Sequence, residues 1–188
     1  ALTAGSEKTD GEGRMWDIDY LKRMIRDVPD FPKKGVIFKD ITTLLSNAKA
    51  FATSIDMIGD RYIDQKVDLV VGAEARGFVF GAALAYKLNA GIIMIRKTGK
   101  LPYRTVKTLY ELEYGTDELE IHEDAISEGD RVLLVDDLLA TGGTAAATSD
   151  LVHKLKGDVV GFAFLIELTF LKGRDRLGDH EIFSLIKY

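Results

Sequence analysis

The segment from residue 132 to residue 156 constrains the fold of this chain more than any other. Four consecutive apolar residues at 132–135 are followed at once by Asp136 and Asp137, and two adjacent glycines, Gly142 and Gly143, come next. A short, continuous apolar run is typical of a strand buried on both faces of a parallel sheet. The pattern therefore predicts a buried strand that carries two carboxylates to its C-terminal end, where open α/β sheets bind ligands.

A helix is predicted directly after the glycines. Thr148, Leu151, Val152 and Leu155 recur at steps of three and four residues, and Gly157 follows as a stop signal. The N-terminus of such a helix offers unpaired N–H groups and the positive end of its dipole, while glycine lets the backbone approach an anion closely. The loop is therefore predicted to bind phosphate through the backbone at Gly142 and Gly143 and the hydroxyls of Thr141 and Thr144.

The two carboxylates need a different partner, because acceptor groups do not bind phosphate. Asp136 and Asp137 are candidates to accept hydrogen bonds from ribose hydroxyls or to hold water around Mg²⁺. A solvated acidic turn is the alternative reading. The loop is neither a Walker loop, which needs Gly-Lys-Ser/Thr, nor a dinucleotide fingerprint, which needs G-x-G-x-x-G.

The rest of the chain alternates apolar runs with helical patterns. This order predicts an α/β fold with a mostly parallel central sheet flanked by helices on both faces. The predicted helices cover 18–25, 47–64 and 78–88, the predicted strands cover 68–71, 91–95, 159–168 and 182–186, and residues 105–111 and 118–121 are predicted to pair as a hairpin.

Length and composition limit the possible classes of protein. A chain of 188 residues suits one domain, predicted here as 14–188, after an unpatterned segment 1–13 interpreted as a flexible extension or a remnant of cloning. The net charge of -5 disfavours nucleic acid as a partner, and no apolar run approaches the roughly 20 residues of a membrane span. The absence of cysteine agrees with a reducing, cytoplasmic location.

The Asp-Asp pair and the Ala-Thr-Gly-Gly-Thr loop resemble the phosphoribosyl diphosphate motif of the type I phosphoribosyltransferases. Nearly everything after Gly13 resembles the adenine-specific members of that family. The segments that carry this resemblance are Phe31-Pro32, 35–41, 74–78, Arg96-Lys97, 99–102, 112–115 and 171–174.

The resemblance implies a fold, a reaction and an assembly. The fold would be the type I phosphoribosyltransferase fold, with a small N-terminal hood and a flexible catalytic hairpin loop. The reaction would transfer ribose 5-phosphate from 5-phosphoribosyl 1-diphosphate to N9 of adenine, giving AMP and diphosphate in purine salvage. The resemblance also implies Mg²⁺ held mainly by substrate oxygens and water rather than by direct protein ligands, and a homodimer.

The resemblance also implies roles for individual residues. Asp136 and Asp137 would bind the ribose, the loop from Ala140 to Thr144 the 5-phosphate, and Glu113 would be catalytic, either taking a proton from the purine or stabilising the positive charge that develops on the ribose. Adenine would contact Ile37, Phe38, Lys39 and Leu168. The diphosphate would contact Glu74, Ala75, Arg76, Arg96, Lys97, Lys100 and Tyr114, some of them from a partner subunit.

Two departures from the family pattern and two alternative functions stay open. Thr43 stands where proline is expected, and Tyr103-Arg104 stand where small residues are commoner. A 6-oxopurine or xanthine phosphoribosyltransferase would share the Asp-Asp and Gly-Gly loop but not the segments around Phe38, Glu113 and Leu168. A regulator that senses phosphoribosyl diphosphate without catalysis is the second alternative.

Overall fold

The computed structural model describes the backbone of residues 13–111 and 116–188 and the side chains of 18–110 and 116–188. The chain forms two compact units, Ala1–Thr53 and Ser54–Tyr188. Segment 1–13 lies almost entirely outside the described residues, and the assignment of 14–188 to a single domain stays a prediction.

The first unit contains a two-stranded antiparallel sheet between helices. Its elements are α1 (Gly13–Arg23), β1 (Arg26–Pro29), β2 (Ile37–Asp40), α2 (Thr42–Leu45) and the beginning of α3 (Ala48–Tyr62). Both strands are four residues long and no residue in them is fully buried, so they lack the apolar alternation by which a strand is recognised. The sequence pattern therefore did not predict them.

Ion pairs across the two strands stabilise this small sheet. Arg26 lies 2.5 Å from Asp40, and Lys39 lies 2.7 Å from Asp27. The N–H of Thr42 and the guanidinium of Arg26 lower the pKa of Asp40 to about 2. Thr43, the departure from the family pattern, donates a hydrogen bond to the Met24 carbonyl, which proline has no hydroxyl to make.

The second unit is built on a seven-stranded sheet in the order β5-β6-β4-β3-β7-β8-β9. All neighbours from β4 to β9 in this order pair in parallel, and β6 pairs antiparallel with both β4 and β5. The elements are β3 (Leu69–Ala73), α4 (Arg76–Leu88), β4 (Gly91–Lys97), β5 (Thr105–Glu111), β6 (Thr116–His122), β7 (Arg131–Leu139), α5 (Gly143–Lys154), β8 (Asp158–Glu167) and β9 (Ile182–Lys187).

The register shows that α4 and α5 cover opposite faces of this sheet. Val71 and Leu134 are direct partners on neighbouring strands, and both pack in one buried cluster with Leu151 of α5. Val70 and its partner on β4, Ile92, point to the other face. There a Cβ on Gly81 of α4 would come within 3.0 Å of Ile92. The predicted parallel sheet with helices on both faces is therefore confirmed.

The hairpin agrees with the sequence-based expectation, whereas the length of β7 does not. The predicted hairpin is present, with Glu111 opposite Thr116, although residues 112–115 at its tip lie outside the described part. Strand β7 is longer than predicted, because Asp136 pairs with Phe164 and Leu138 with Ile166 before the strand ends. The two acidic residues thus belong to the strand itself.

Candidate active site

A loop of three residues joins the end of β7 to the first turn of α5. It forms one wall of an open cavity with about 320 Å³ of empty space. Gly142 adopts a left-handed backbone conformation with φ of +82° directly before the helix, and this conformation directs the chain into α5. The cavity is lined by Asp136, Leu138, Leu139, Ala140, Thr141, Gly142, Gly143, Thr144 and Ala145, which include every residue of the predicted phosphate loop.

The backbone of this loop crosses the backbone of a later segment at very short range. A Cβ on Gly142 would overlap the Gly173 carbonyl, and a Cβ on Gly173 would overlap the Ala140 carbonyl. The later segment is itself fixed, because the Arg174 guanidinium donates to both carboxylate oxygens of Glu167 at 2.6 and 2.7 Å. Only glycine at positions 142 and 173 fits this crossing.

The two carboxylates at the end of β7 have different surroundings. Burial of its carboxylate raises the pKa of Asp136 well above the ordinary value, and the neighbouring charge of Asp137 raises it further, although the residue keeps partial solvent contact. Burial also raises the pKa of Asp137, and Arg76 opposes that rise. The Arg76 Nε lies 3.0 Å from Asp137 Oδ2.

Glu74 lies at the centre of the basic residues near the ends of β3 and β4. Its carboxylate accepts hydrogen bonds from the Lys100 ammonium at 2.6 Å, the Lys97 backbone N–H at 3.1 Å and the Arg96 Nε at 3.3 Å. The Lys100 hydrogen bond is the largest cause that lowers the pKa of Glu74 to about 2. The peptide bond from Glu74 to Ala75 is cis. The predicted diphosphate contacts Arg96 and Lys100 thus converge on one anion.

The Lys97 ammonium points to a different partner. It lies 2.8 Å from Asp117 Oδ2 on β6. Tyr110 on β5 donates a hydrogen bond to the same oxygen at 3.4 Å. The contact with Lys97 is the largest cause that lowers the pKa of Asp117.

The proposed adenine contacts fall in both units. Ile37, Phe38 and Lys39 form three of the four residues of β2, and the ring of Phe38 packs edge-on against Phe31 with centroids 5.1 Å apart. In the second unit, Leu168 directly follows β8, and its N–H donates to the Leu139 carbonyl at 3.0 Å.

Glu113 and Tyr114 lie outside the described residues, so their assigned roles stay predictions. Among the described residues, no group of three or more His, Cys, Asp or Glu side chains could hold a metal ion. The paired Asp136 and Asp137 nevertheless provide the hard oxygen atoms that Mg²⁺ prefers, and such atoms fit a magnesium ion bound through water and substrate oxygens.

Comparison with known proteins places this geometry in a family. The model of the phosphoribosyl transferase domain matches residues 40–186. A curated adenine phosphoribosyltransferase of Syntrophotalea carbinolica is 61% identical over 171 residues, which are 91% of this chain and 100% of the relative. The chain belongs to the adenine phosphoribosyltransferases.

Solved adenine phosphoribosyltransferases share the fold closely. The crystal structure from Thermoanaerobacter pseudethanolicus is 56% identical, with a TM-score of 0.89, and covers 91% of this chain and 99% of its own. The Saccharomyces cerevisiae enzyme, solved with an imino-altritol bisphosphate and adenine, is 39% identical, with a TM-score of 0.86 and the same coverage of both chains. These likenesses confirm the type I phosphoribosyltransferase fold.

Three features at the site of this adenine phosphoribosyltransferase were not predicted from the sequence. They are the crossing of Gly142 and Gly173, the pair formed by Tyr110 and Asp117, and the buried Glu120. Glu120 accepts hydrogen bonds from the backbone N–H groups of Lys100 and Leu101 at 3.0 and 3.1 Å and so fixes the basic loop. Each depends on contacts between side chains or backbone segments that are not neighbours in the sequence, for which single residues gave no signal.

Proposed function

We propose that this chain transfers the 5-phosphoribosyl group of phosphoribosyl diphosphate to N9 of adenine, giving AMP and diphosphate. The observation that carries the proposal is the glycine loop at the N-terminus of α5, directly beside two carboxylates at the end of β7. The family supports adenine as the base, since relatives near 60% identity over full length carry that name.

The loop from Ala140 to Thr144 binds the 5-phosphate in this proposal. Backbone N–H groups at the start of α5 and the hydroxyls of Thr141 and Thr144 donate to its oxygens. The neighbouring Asp136 and Asp137 then accept hydrogen bonds from the two ribose hydroxyls. Both contacts hold the donor so that its C1 atom faces the incoming base.

The basic residues take the leaving group. As the bond between C1 and the diphosphate oxygen breaks and the bond between N9 and C1 forms, negative charge collects on the diphosphate. Arg96 and Lys100 offer cations for that charge, with Lys97, Arg76, Tyr114 and the backbone at Ala75 as further contacts. Bound Mg²⁺ would neutralise part of the same charge.

Glu74 is better assigned to holding these cations than to binding the diphosphate through its side chain. A carboxylate whose pKa is held near 2 is ionised at neutral pH and repels an anion. It keeps Lys100 and Arg96 together at the position that the diphosphate approaches. The backbone of Glu74 remains a candidate contact with the diphosphate.

Glu113 is the proposed catalytic residue, with both of its roles open. It either accepts the proton that leaves adenine N9 or stabilises the positive charge that develops on the ribose as the old bond breaks. Ile37, Phe38, Lys39 and Leu168 are the proposed adenine contacts. Apolar and backbone groups of this kind can recognise adenine without a charged side chain.

We further propose that the chain acts as a cytoplasmic homodimer. Several apolar side chains on α4 and β4 are exposed, and monomeric proteins rarely expose large apolar patches. These side chains are Val79 and Tyr86 on α4, and Ile92 and Met94 on β4, with exposed fractions from 41% to 91%. Sedimentation velocity tests the assembly: the wild-type chain should sediment as a dimer, and Met94→Glu should shift it toward monomer.

No helix in the described part of the chain has the length and apolar character to span a membrane.

A single assay tests the reaction and the choice of base. The purified chain is mixed with phosphoribosyl diphosphate and Mg²⁺, and adenine, hypoxanthine, guanine and xanthine are supplied in separate reactions. Formation of AMP from adenine alone is the expected result. Turnover of an oxopurine would contradict the adenine assignment, and donor binding without turnover of any base would favour the sensor.

A further inference from the structure

Three side chains from three strands form one polar chain beside the proposed donor site. Lys97 ends β4, Tyr110 lies on β5 and Asp117 lies on β6. The Lys97 ammonium is 2.8 Å from Asp117 Oδ2, and the Tyr110 hydroxyl is 3.4 Å from the same oxygen. The chain thus ends at one of the proposed diphosphate cations.

The register of the sheet brings these side chains together. Tyr110 and Asp117 are direct partners across the β5–β6 hairpin, so their side chains point to the same face. Lys97 is paired with Leu119, which makes Asp117 its diagonal neighbour on β6. Tyr110 also lies against the first turns of α5, since it lines an open cavity together with Gly143 and Ala147.

The number of hydrogen atoms on each group fixes the direction of the hydrogen bonds. Tyr110 has one hydroxyl hydrogen and donates it to Asp117, which accepts. The Lys97 ammonium carries three N–H groups, and one of them is enough for its contact with Asp117. The ammonium can therefore contact Asp117 and a ligand at the same time.

We propose that Asp117 and Tyr110 are positioning residues for the phosphoribosyl diphosphate donor. This inference rests on the proposed function. Asp117 holds the Lys97 ammonium at the diphosphate end of the donor site. Tyr110 donates to the same carboxylate and so fixes the orientation of the Asp117 side chain.

The test compares three variants of the full chain: Asp117→Asn, Tyr110→Phe and the two combined. Each single change breaks the polar chain while nearly preserving side-chain shape. We expect KM for the donor to rise about threefold to tenfold in each, because one hydrogen bond to a charged group is lost. Both kcat and KM for adenine should stay within about twofold of wild type. The double variant should match the single variants, because the chain is already broken.

Matched controls separate positioning from general damage to the hairpin. Glu118→Gln removes the carboxylate that follows Asp117 in the sequence and that pairs with Lys107. Tyr103→Phe removes the hydroxyl of an exposed tyrosine. Both should leave the donor KM unchanged. Unchanged donor KM in Tyr110→Phe, or effects that add in the double variant, would overturn the inference. Tyr110→Phe decides the matter alone if Asp117→Asn fails to fold.

Calorimetric titration with the donor gives the same comparison without turnover. A weaker donor Kd in Tyr110→Phe would support the inference even if the wild-type chain formed no AMP, in which case only the proposed function fails. Equal donor Kd values in an active enzyme would overturn the inference and leave the proposed function standing.

Discussion

The Nε atom of Arg76 lies 3.0 Å from Oδ2 of Asp137, so the first residue of α4 partly neutralises one of two adjacent carboxylates at the end of β7. The carboxylate side chain is 6% exposed and that of the arginine 42% exposed, so water screens the pair on one side only. The contact therefore joins two strand ends of the sheet, β3 with its helix and β7 with its loop.

This pair predicts a coupling that a double-mutant cycle can measure. Arg76→Met should lower the free energy of unfolding by about 1–3 kcal/mol, because it leaves the Asp137 charge without its guanidinium. Adding Asp137→Asn should recover much of that loss, since the buried charge is then gone. Urea unfolding of the wild type, both single variants and the double variant gives the coupling, and a sum of independent effects would contradict it.

Asp136→Asn should stabilise the fold and weaken donor binding. Burial raises the folded-state pKa of Asp136 above its unfolded value, so its ionisation at neutral pH destabilises the folded state. The amide removes that charge and keeps the oxygen that accepts from the Asp137 N–H. We expect Tm to rise by about 2–4 °C, the shift that corresponds to about 1 kcal/mol. The exposed Asp64→Asn is the control and should leave Tm unchanged.

Glu74→Gln should change the acid limb of the stability curve. The folded-state pKa of about 2 lies below the ordinary 4.5, so the carboxylate stabilises the fold above pH 4.5, and that contribution is lost as pH falls toward 2. The variant should be about 1 kcal/mol less stable than wild type at pH 7. That difference should shrink through this window, and a difference independent of pH would contradict the ion pairs seen here.

Gly142→Ala should damage the site far more than Gly178→Ala. Both glycines have positive φ, so each alanine costs about 1–2 kcal/mol of backbone strain. Only at Gly142 would the new Cβ also overlap a facing carbonyl, since nothing lies within 4 Å of a Cβ on Gly178. Thermal melts should show a larger loss of stability in Gly142→Ala than in Gly178→Ala, and donor titrations should show loss of donor binding in Gly142→Ala alone.

Glu113→Ala should separate catalysis from donor binding. If the residue acts on the proton of adenine or on the charge of the ribose, kcat should fall by on the order of 10² or more while the donor Kd stays near the wild-type value. Steady-state kinetics with a parallel calorimetric titration measures both. Unchanged turnover would remove Glu113 from its assigned role.

The sheet and its helices were predictable because their buried positions are occupied by apolar residues at regular spacing in the sequence. The apolar run before Asp136 and the spacing of Leu151 and Val152 on α5 are local signals that tertiary contacts then reinforce. The strands β1 and β2 have no such apolar pattern, since cross-strand ion pairs rather than a buried face stabilise them. The extension of β7 through Asp136 was missed because charged residues usually end a buried strand.

In the candidate site, too, the sequence predicted the features formed by consecutive residues but not the contacts that depend on the fold. The glycine loop and the two carboxylates follow one another in the chain, so their order alone indicated a shared site. The contact of Asp117 with Lys97 depends on the register of β4 against β6, which the predicted hairpin of β5 and β6 does not specify. Glu74 was grouped with the diphosphate contacts by resemblance, whereas its hydrogen bonds to Lys100 and Arg96 became visible only in three dimensions.

The crossing of Gly142 and Gly173 sets a distance that side chains do not control. The phosphate loop and the segment after Leu168 touch through main-chain atoms, so neither can shift outward without moving the other. If the loop binds the sugar phosphate and Leu168 contacts the base, the distance between the phosphate site and the base site is fixed before any substrate binds. A nucleotide with a longer link between phosphate and base would then be rejected by the backbone alone.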